Sequence, residues 1–448
     1  MRFSRLVSLI SLTILSALGL VIVSSWATKY SLISGRRFSN ELSQTILYIA
    51  NLPNKVNDLT KFLSNRFPPS GENNPYQKLF PVSSSNTNVA GYILIPYVHS
   101  NGSSRVILLN TSNQTSKEIF LFDINKQPAD YADTLVQSLG FRHSPYSSRH
   151  RVTHPYLNKD GRLYYIIPWN DLVCFNTILN KEEWRVKGAF HHSVEVDSEG
   201  NIWACGATAP GSLRQNNKKL LKSQNFEDQA IVKISNQGKI IDSISIADLL
   251  IDGGMEYLLF GCSNPKFVFD PIHLNHVNPV NGDYGKIKKG TVLVSLRNLS
   301  TVLLIDPNSR KIEWSQTGPW MNQHCVNPIG NNSISVLDNH AFIFGVDQYW
   351  LDPSWQTQVV TQNIEKNETK TVELNFKRDS IQIPIEGRSI QISPESWIIE
   401  DSVHGTIFLF HNQKIILKWS NVYPNGKVGY TSWCRFMRTE EISDIYLN

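Results

Sequence analysis

Cysteine is scarce and scattered. The 448-residue chain has five, Cys174, Cys205, Cys262, Cys325 and Cys434, and no Cys-x-x-Cys pair, which excludes zinc-ribbon and thioredoxin-type readings. An odd count leaves at least one thiol over, and the sequence does not fix any pairing. Charge is thin as well. Charged residues make up 18 % of the chain, and 43 Lys and Arg against 38 Asp and Glu leave a formal net charge of +5. No basic run is interleaved with aromatics, so nucleic-acid binding has no support. A mild positive excess suits anionic substrates instead. No glycine-rich phosphate loop occurs, and helix signals are scarce beyond residue 89.

Apolar residues (41 %) and aromatics (10 %, with 11 Trp and 16 Tyr) are sufficient for a sizeable core and favour strands over helices. The most apolar stretch, residues 6–23, is unbroken by charge and follows Arg2 and Arg5. Basic residues ahead of such a run mark an export signal with its positive end in the cytoplasm. The run is close to bilayer thickness and reads as a signal anchor, although Ser25-Trp26-Ala27 offers a cleavage site. Residues 39–67 carry helix-spaced apolar positions on both sides of Pro53, and the Pro-, Asn- and Ser-rich stretch 68–88 reads as a linker. The expected organisation is thus a transmembrane or signal-anchor helix in 1–30, a helical arm and linker in 31–88, and an all-β body in 89–448. The body is expected in the periplasm or another extracytoplasmic space, tethered to the membrane.

Within the body one hairpin pattern recurs. A β run ends near a polar residue, turns through a basic one and continues as a second β run, clearest in residues 302–316 (VLLIDPNSRKIEWSQ). Residues 172–188, 230–246 and 407–421 repeat it, and a weaker copy starts at Ile119. A second unit alternates with the first: a histidine, then a glycine turn, as in His154 to Gly161, His192 to Gly200 and His324 to Gly330. Together they make about four strands, the size of a propeller blade. Starts near 90, 152, 190, 272, 323 and 390 predict a six-bladed β-propeller. Equivalent positions of different blades converge near the axis, so His192, His273 and His324, 81 and 51 residues apart, can meet in one pocket.

Three stretches carry a family resemblance: DPIHLNHVNPV (270–280), GTVLVSLRNLSTVLLIDPNSRKIEW (290–314) and TGPWMNQHCVNPIGNNSISVLDN (317–339), with FHHSVEVDSEGNIW (190–203) upstream. Over residues 150–345 the chain resembles the bacterial arylsulfotransferases. That resemblance implies sulfuryl transfer from a phenolic sulfate ester to a phenol without PAPS, through a sulfohistidine in a ping-pong cycle. It implies His324 as nucleophile, His273 and Asn275 as sulfate-holding and proton-handling residues, Arg297 as the sulfate-binding arginine and His192 as a further site histidine. It also implies no cofactor and no metal, with a small aryl sulfate and a phenolic acceptor as partners.

Two frames stay open. His-x-Asn occurs at His273 and again at His276, and the first is preferred because Asp270 precedes it by three residues. Of His191 and His192, the second is preferred because it aligns with His324. Ser193 and Cys325 stand where the family often has Asp, and the helical arm replaces a β-sandwich found in well-known members, which leaves homodimerisation open. The alternative function is a non-catalytic exported propeller that serves as a binding or scaffold module. A metal site held by three imidazoles is a further reading, disfavoured by the positive charge of Arg297.

Overall fold

The structure is a computed structural model, and it describes residues 73–77, 89–122, 151–207, 228–261, 270–345, 348–350 and 356–447. The expected membrane segment and the helical arm lie outside the described residues. Among those described, no helix is long and apolar enough to cross a membrane. The chain divides into Met1–Phe67 and Pro68–Asn448, and all described residues belong to the second unit.

The described residues of that unit form mostly antiparallel strands. In chain order they are β1 (Tyr92–Val98), β2 (Ser104–Asn110), β3 (Ser116–Phe122), β4 (Thr153–Leu157), β5 (Arg162–Ile166), β6 (Asn170–Asn176), β7 (Lys181–Val196), β8 (Ile202–Ala207), β9 (Gln229–Ile234) and β10 (Ile240–Ser245). Two short helices follow, α1 (Ile246–Asp252) and α2 (Tyr257–Phe260). The strands resume with β11 (Leu274–Pro279), β12 (Val292–Leu296), β13 (Thr301–Asp306), β14 (Lys311–Thr317), β15 (His324–Gly330) and β16 (Ser333–Asp338). After the small β17 (Phe342–Gly345) and β18 (Gln348–Trp350) come β19 (Gln358–Asn363), β20 (Glu368–Val372), β21 (Arg388–Ser393), β22 (Ser396–Asp401), β23 (Thr406–His411), β24 (Lys414–Ser420) and β25 (Arg435–Met437).

The repeated hairpins form where the pattern puts them. In the 302–316 copy, β13 pairs with β14, Asp306 opposite Lys311. Asp306 closes the turn by accepting from the Asn308 N–H at 2.9 Å and the Ser309 hydroxyl at 2.7 Å, the local bonding that makes Asp a turn former. The copies at 172–188, 230–246 and 407–421 are the pairs β6–β7, β9–β10 and β23–β24.

The sheets among the described residues are β25-β1-β2-β3, β11-β12-β13-β14, β15-β16-β19-β20 and β21-β22-β23-β24, each of four strands, a two-stranded sheet β17-β18, and a seven-stranded sheet from β4 to β10. This corrects the expected six blades: four separate four-stranded blades form among the described residues. The two units read from starts near 152 and 190 are one continuous sheet, because β7 runs unbroken for 16 residues through both. Its two halves pack on each other through Ile166, Leu172, Val194, Ala204 and Val232.

Neighbouring sheets bury their faces in the same way. Leu293, Val302 and Leu304 meet Val326, Ile334 and Val336, and Ile93 and Ile95 meet Ile398 and Ile407. A single small sheet has no partner for one face, and stacking its neighbours supplies it. The first sheet is completed by the last strand: Tyr92 pairs with Met437 and Leu94 with Arg435, so the two ends of the body share one sheet.

Part of the expected linker is docked. Tyr76 is 1 % exposed, packs among Phe408, Phe410 and Trp433, and donates its hydroxyl to Asp401 at 2.6 Å.

Candidate functional site

Strands of successive sheets lie side by side, with β4 and β11 against β7 and β15 against β11. Each carries an irregularity, near the start of β4, β11 and β15 and late in β7. His154, His192, His273 and Cys325 have positive φ, between 50 and 54°, a region that costs a non-glycine residue free energy and persists where the surroundings over-determine it. The pairing register also shifts there: at Thr153/Tyr156, His191/Val194, Leu274/His276 and His324/Val326. A bulge re-aims the side chains beside it, and here it turns the histidines of different sheets toward one another.

The His192 and His273 rings stand 4.9 Å apart, centroid to centroid, nearly perpendicular. His154 lies 6.3 Å from His192 and is stacked on Trp433 at 3.8 Å. His191 and His192 share a proton between their Nδ1 atoms at 2.7 Å, and the far side of His191 rests on Trp169. Arg297, 8 % exposed, sits between β12 and β13. Its backbone N–H donates to the carbonyl of His273 at 3.0 Å, and its Nε donates to Asn298 at 3.1 Å. Asn275 is fully buried and donates Nδ2 to the Gln323 carbonyl at 2.7 Å, which fixes β11 to the residue before His324. Its Oδ1 is buried and accepts no hydrogen bond. His192, His273, Asn275, Arg297 and His324 are therefore brought to one place.

The partners of the three expected site histidines differ. The Nδ1 of His273 is bonded to a carboxylate oxygen of Asp270, whose other oxygen accepts the His273 N–H at 2.8 Å. The Nδ1 of His324 is bonded to the amide oxygen of Asn339 at 2.7 Å. The Nε2 of His324 is buried and has no hydrogen-bond partner. Burial first, then the charge of Arg297, pushes the His324 imidazole down to about 4. His192 is also held well below the ordinary range, by burial and by the neighbouring charges of His273, His191, Arg297 and His324. Each imidazole of this pair is thus neutral at neutral pH.

The second His-x-Asn frame goes elsewhere. His276 accepts the Val326 N–H on Nδ1 at 2.9 Å, so its proton sits on Nε2, which faces Glu195 at 3.4 Å. Glu195 also takes Arg435 at 2.6 Å and Arg388 at 3.2 Å. Arg435 donates further to the Pro155 carbonyl at 2.6 Å. His276 is part of a buried charge lock that joins β4, β7, β11, β15, β21 and β25. Burial alone would raise the Glu195 carboxyl, but the two arginines hold it well below the carboxylate range.

Ser193 and Cys325 serve the seams between sheets. The Ser193 hydroxyl accepts the Val277 N–H at 2.9 Å, and the Cys325 thiol lies 3.3 Å from the Ser389 carbonyl. Cys174, Cys205, Cys325 and Cys434 are buried free thiols, and Trp320 is core, 2 % exposed. Among the described residues no group of three His, Cys, Asp or Glu is placed to hold a metal ion.

Sequence reasoning gave no site role to Asn339, His154, Trp433 or Glu195. The signal for Asn339 was register: Leu337 faces His324 across β15–β16, and Asn339 lies two residues on, the same side of the chain by alternation.

Fold and site together define a β-propeller with a buried cluster of histidines beside an arginine. The sequence model described as Arylsulfotransferase (ASST) matches residues 155–421, a stretch that contains all five converging residues. The chain belongs to the arylsulfotransferase family. No curated protein matches it. Solved structures similar to it include "Structure of U3-55K" (8 % identity, 59 % of this chain and 62 % of that one, TM-score 0.33) and "Crystal structure of RRP9 WD40 repeats" (7 %, 59 % and 61 %, TM-score 0.33). TolB from Acinetobacter baumannii is a third (6 %, 78 % and 67 %, TM-score 0.41). The chain spans somewhat less than two thirds of the length of the first two, and at these TM-scores none of the three carries an argument.

Proposed function

We propose that the protein moves a sulfuryl group from an aryl sulfate ester to a phenol or other hydroxyl acceptor, without PAPS, through a sulfohistidine at His324. The observation that carries this reading is the buried, unpartnered Nε2 of His324 under the charge of Arg297, close to the His192–His273 pair.

A neutral imidazole is a competent nucleophile at neutral pH. Its attack on sulfur passes through a loose transition state with charge spread over the sulfuryl oxygens. The Arg297 guanidinium and the His192 imidazole, aimed at those oxygens, supply electrostatic stabilisation. His273, supported by Asp270, gives a proton to the departing phenolate and takes one from the incoming hydroxyl. Asn275 lies between His273 and His324 in the chain of contacts and helps seat the sulfate.

The test uses the full-length chain with 4-nitrophenyl sulfate and phenol. Phenol-dependent nitrophenolate release with a one-sulfuryl gain in intact mass is expected. No release and no gain across several donors and acceptors would overturn the reading in favour of a binding propeller. Removing an oxyanion-stabilising donor of this kind costs about 10²–10³ in kcat. Arg297→Ala is expected to lose that much, with Arg297→Lys in between. A loss confined to KM would show that Arg297 only binds substrate.

The pH profile gives a separate check. With His324 pushed down to about 4, donor turnover stays level as pH falls from neutrality and drops through about 4. An acid limb near the ordinary imidazole value of about 6.5 would place the nucleophile elsewhere. The charged-then-apolar N-terminus supports export and anchoring of the body outside the cytoplasm. Alkaline carbonate extraction that released the chain from membranes would remove the anchor.

A further inference from the structure

We propose that Asn339 is a positioning residue that keeps the Nδ1 proton on His324 throughout the cycle, so that the sulfohistidine stays a cationic, readily cleaved intermediate. This rests on the sulfohistidine reading above and names the control of its second half.

The argument begins with the amide. Asn339 donates Nδ2 to the carbonyls of Ile383 and Glu386, both at 2.8 Å. Two carbonyl acceptors fix which end of the amide is nitrogen. The end that faces His324 is therefore Oδ1, which only accepts. His324 Nδ1 must be the donor of the 2.7 Å bond, and the tautomer is settled: the proton is on Nδ1 and the lone pair on the unpartnered Nε2.

An amide oxygen orients an imidazole without acting as a base, and among the described residues no carboxylate is bonded to Nδ1. Asp338, the neighbouring residue in sequence, is engaged by His340 at 3.0 Å, the Met321 N–H at 2.9 Å and Gln358 at 3.0 Å. Glu386 is engaged by Arg151 at 2.5 Å. Asp270 is on His273. The same pocket thus gives a carboxylate to one histidine and an amide to the other, and the two have different work.

In the first half-reaction Nε2 forms a bond to sulfur and the S–O(aryl) bond breaks. Its electron pair leaves on the phenolate, which takes the proton from His273. The ring now carries sulfuryl on Nε2 and hydrogen on Nδ1, with one positive charge. In the second half-reaction the acceptor oxygen attacks sulfur and gives its proton to His273. The Nε2–S pair returns to the ring, which leaves as neutral imidazole. A carboxylate at Nδ1 would draw the proton off the intermediate, and an anionic imidazole would then have to leave, a far poorer leaving group.

Asn339→Asp places that carboxylate. The expected result is a sulfo-enzyme that still forms from 4-nitrophenyl sulfate, as an intact-mass gain, but is discharged by phenol more slowly by on the order of tenfold or more. Discharge at the wild-type rate would overturn the proposal. Should the variant not fold, ¹⁵N imidazole spectra of the wild-type full-length chain decide, with His324→Gln identifying the resonance. Hydrogen on Nδ1 is expected, and hydrogen on Nε2 would overturn it. If the wild type never gains a sulfuryl mass, the sulfohistidine reading fails, a result distinct from either outcome for Asn339.

Discussion

His324→Ala abolishes sulfuryl transfer. The loss in kcat is expected on the order of 10⁴-fold or more, the scale seen when a covalent nucleophile is removed from a preorganised site, and the intact-mass gain disappears with it. Folding should survive. His324 is buried, but the side chain that its ring bonds to is Asn339, and removing the ring leaves that amide oxygen to be satisfied by water. The measurement is a pair: nitrophenolate release, and the mass of the protein after exposure to donor alone. A variant that keeps release but loses the mass gain would mean direct transfer between substrates. One that keeps both would move the nucleophile to another ring, with His192 the first to test because it stands against His273.

The largest effect on stability is expected at a residue outside the five that converge. Glu195→Gln removes the one carboxylate that Arg388, Arg435 and His276 share. Two guanidiniums then remain buried without their counter-charge, and breaking a buried pair in this way costs about 3–5 kcal/mol. A lower urea midpoint with an unchanged slope would report it. The pH dependence has a definite sign. Glu195 is held well below its ordinary value, so its stabilisation is fully present above the unfolded carboxyl value of about 4.3 and is lost as pH falls below that. The wild type and the variant should differ most near neutrality and converge in acid. A difference that grew in acid would contradict the charge lock.

Much of the architecture was legible because it is local. The 302–316 hairpin is written in adjacent residues: alternating Val, Leu and Ile, then Asp306 and Ser309 for the turn. The number of separate blades was not legible. Residues 181–196 contain turn-compatible Gly188 and two changes of pattern, yet pairing on both sides keeps β7 as one strand. No sequence period distinguishes a strand that ends from one that bends and goes on.

The site divides along the same line. His192, His273 and His324 could be gathered because they open similar repeat units, and Asn275 and Arg297 because they belong to quoted motifs. Asn339 escaped, since its role comes from strand register. Glu195 escaped because its partners lie 193 and 240 residues away, a separation that no spacing rule describes. Tyr76 escaped because its Pro-, Asn- and Ser-rich surroundings hide one aromatic anchor. His276 shows the reverse: a motif frame that reads as functional and is spent on the lock.

The pairing of β25 with β1 has a consequence for how the chain is made. β1 is the first of the described strands to be synthesised, and its open edge stays without this partner until residues 435–437 exist. For nearly the whole of translation the body carries an unpaired edge, the kind that recruits other chains. Arg435 arrives with the same strand, so the charge lock also closes last. A ribosome that stalls short of residue 435 would release a chain with an unclosed sheet and one arginine missing from its centre. Such a product is predisposed to aggregation and degradation. Quality control of the body therefore depends on residues 435–437, and a binder that holds the β1 edge would serve as a chaperone until they are made.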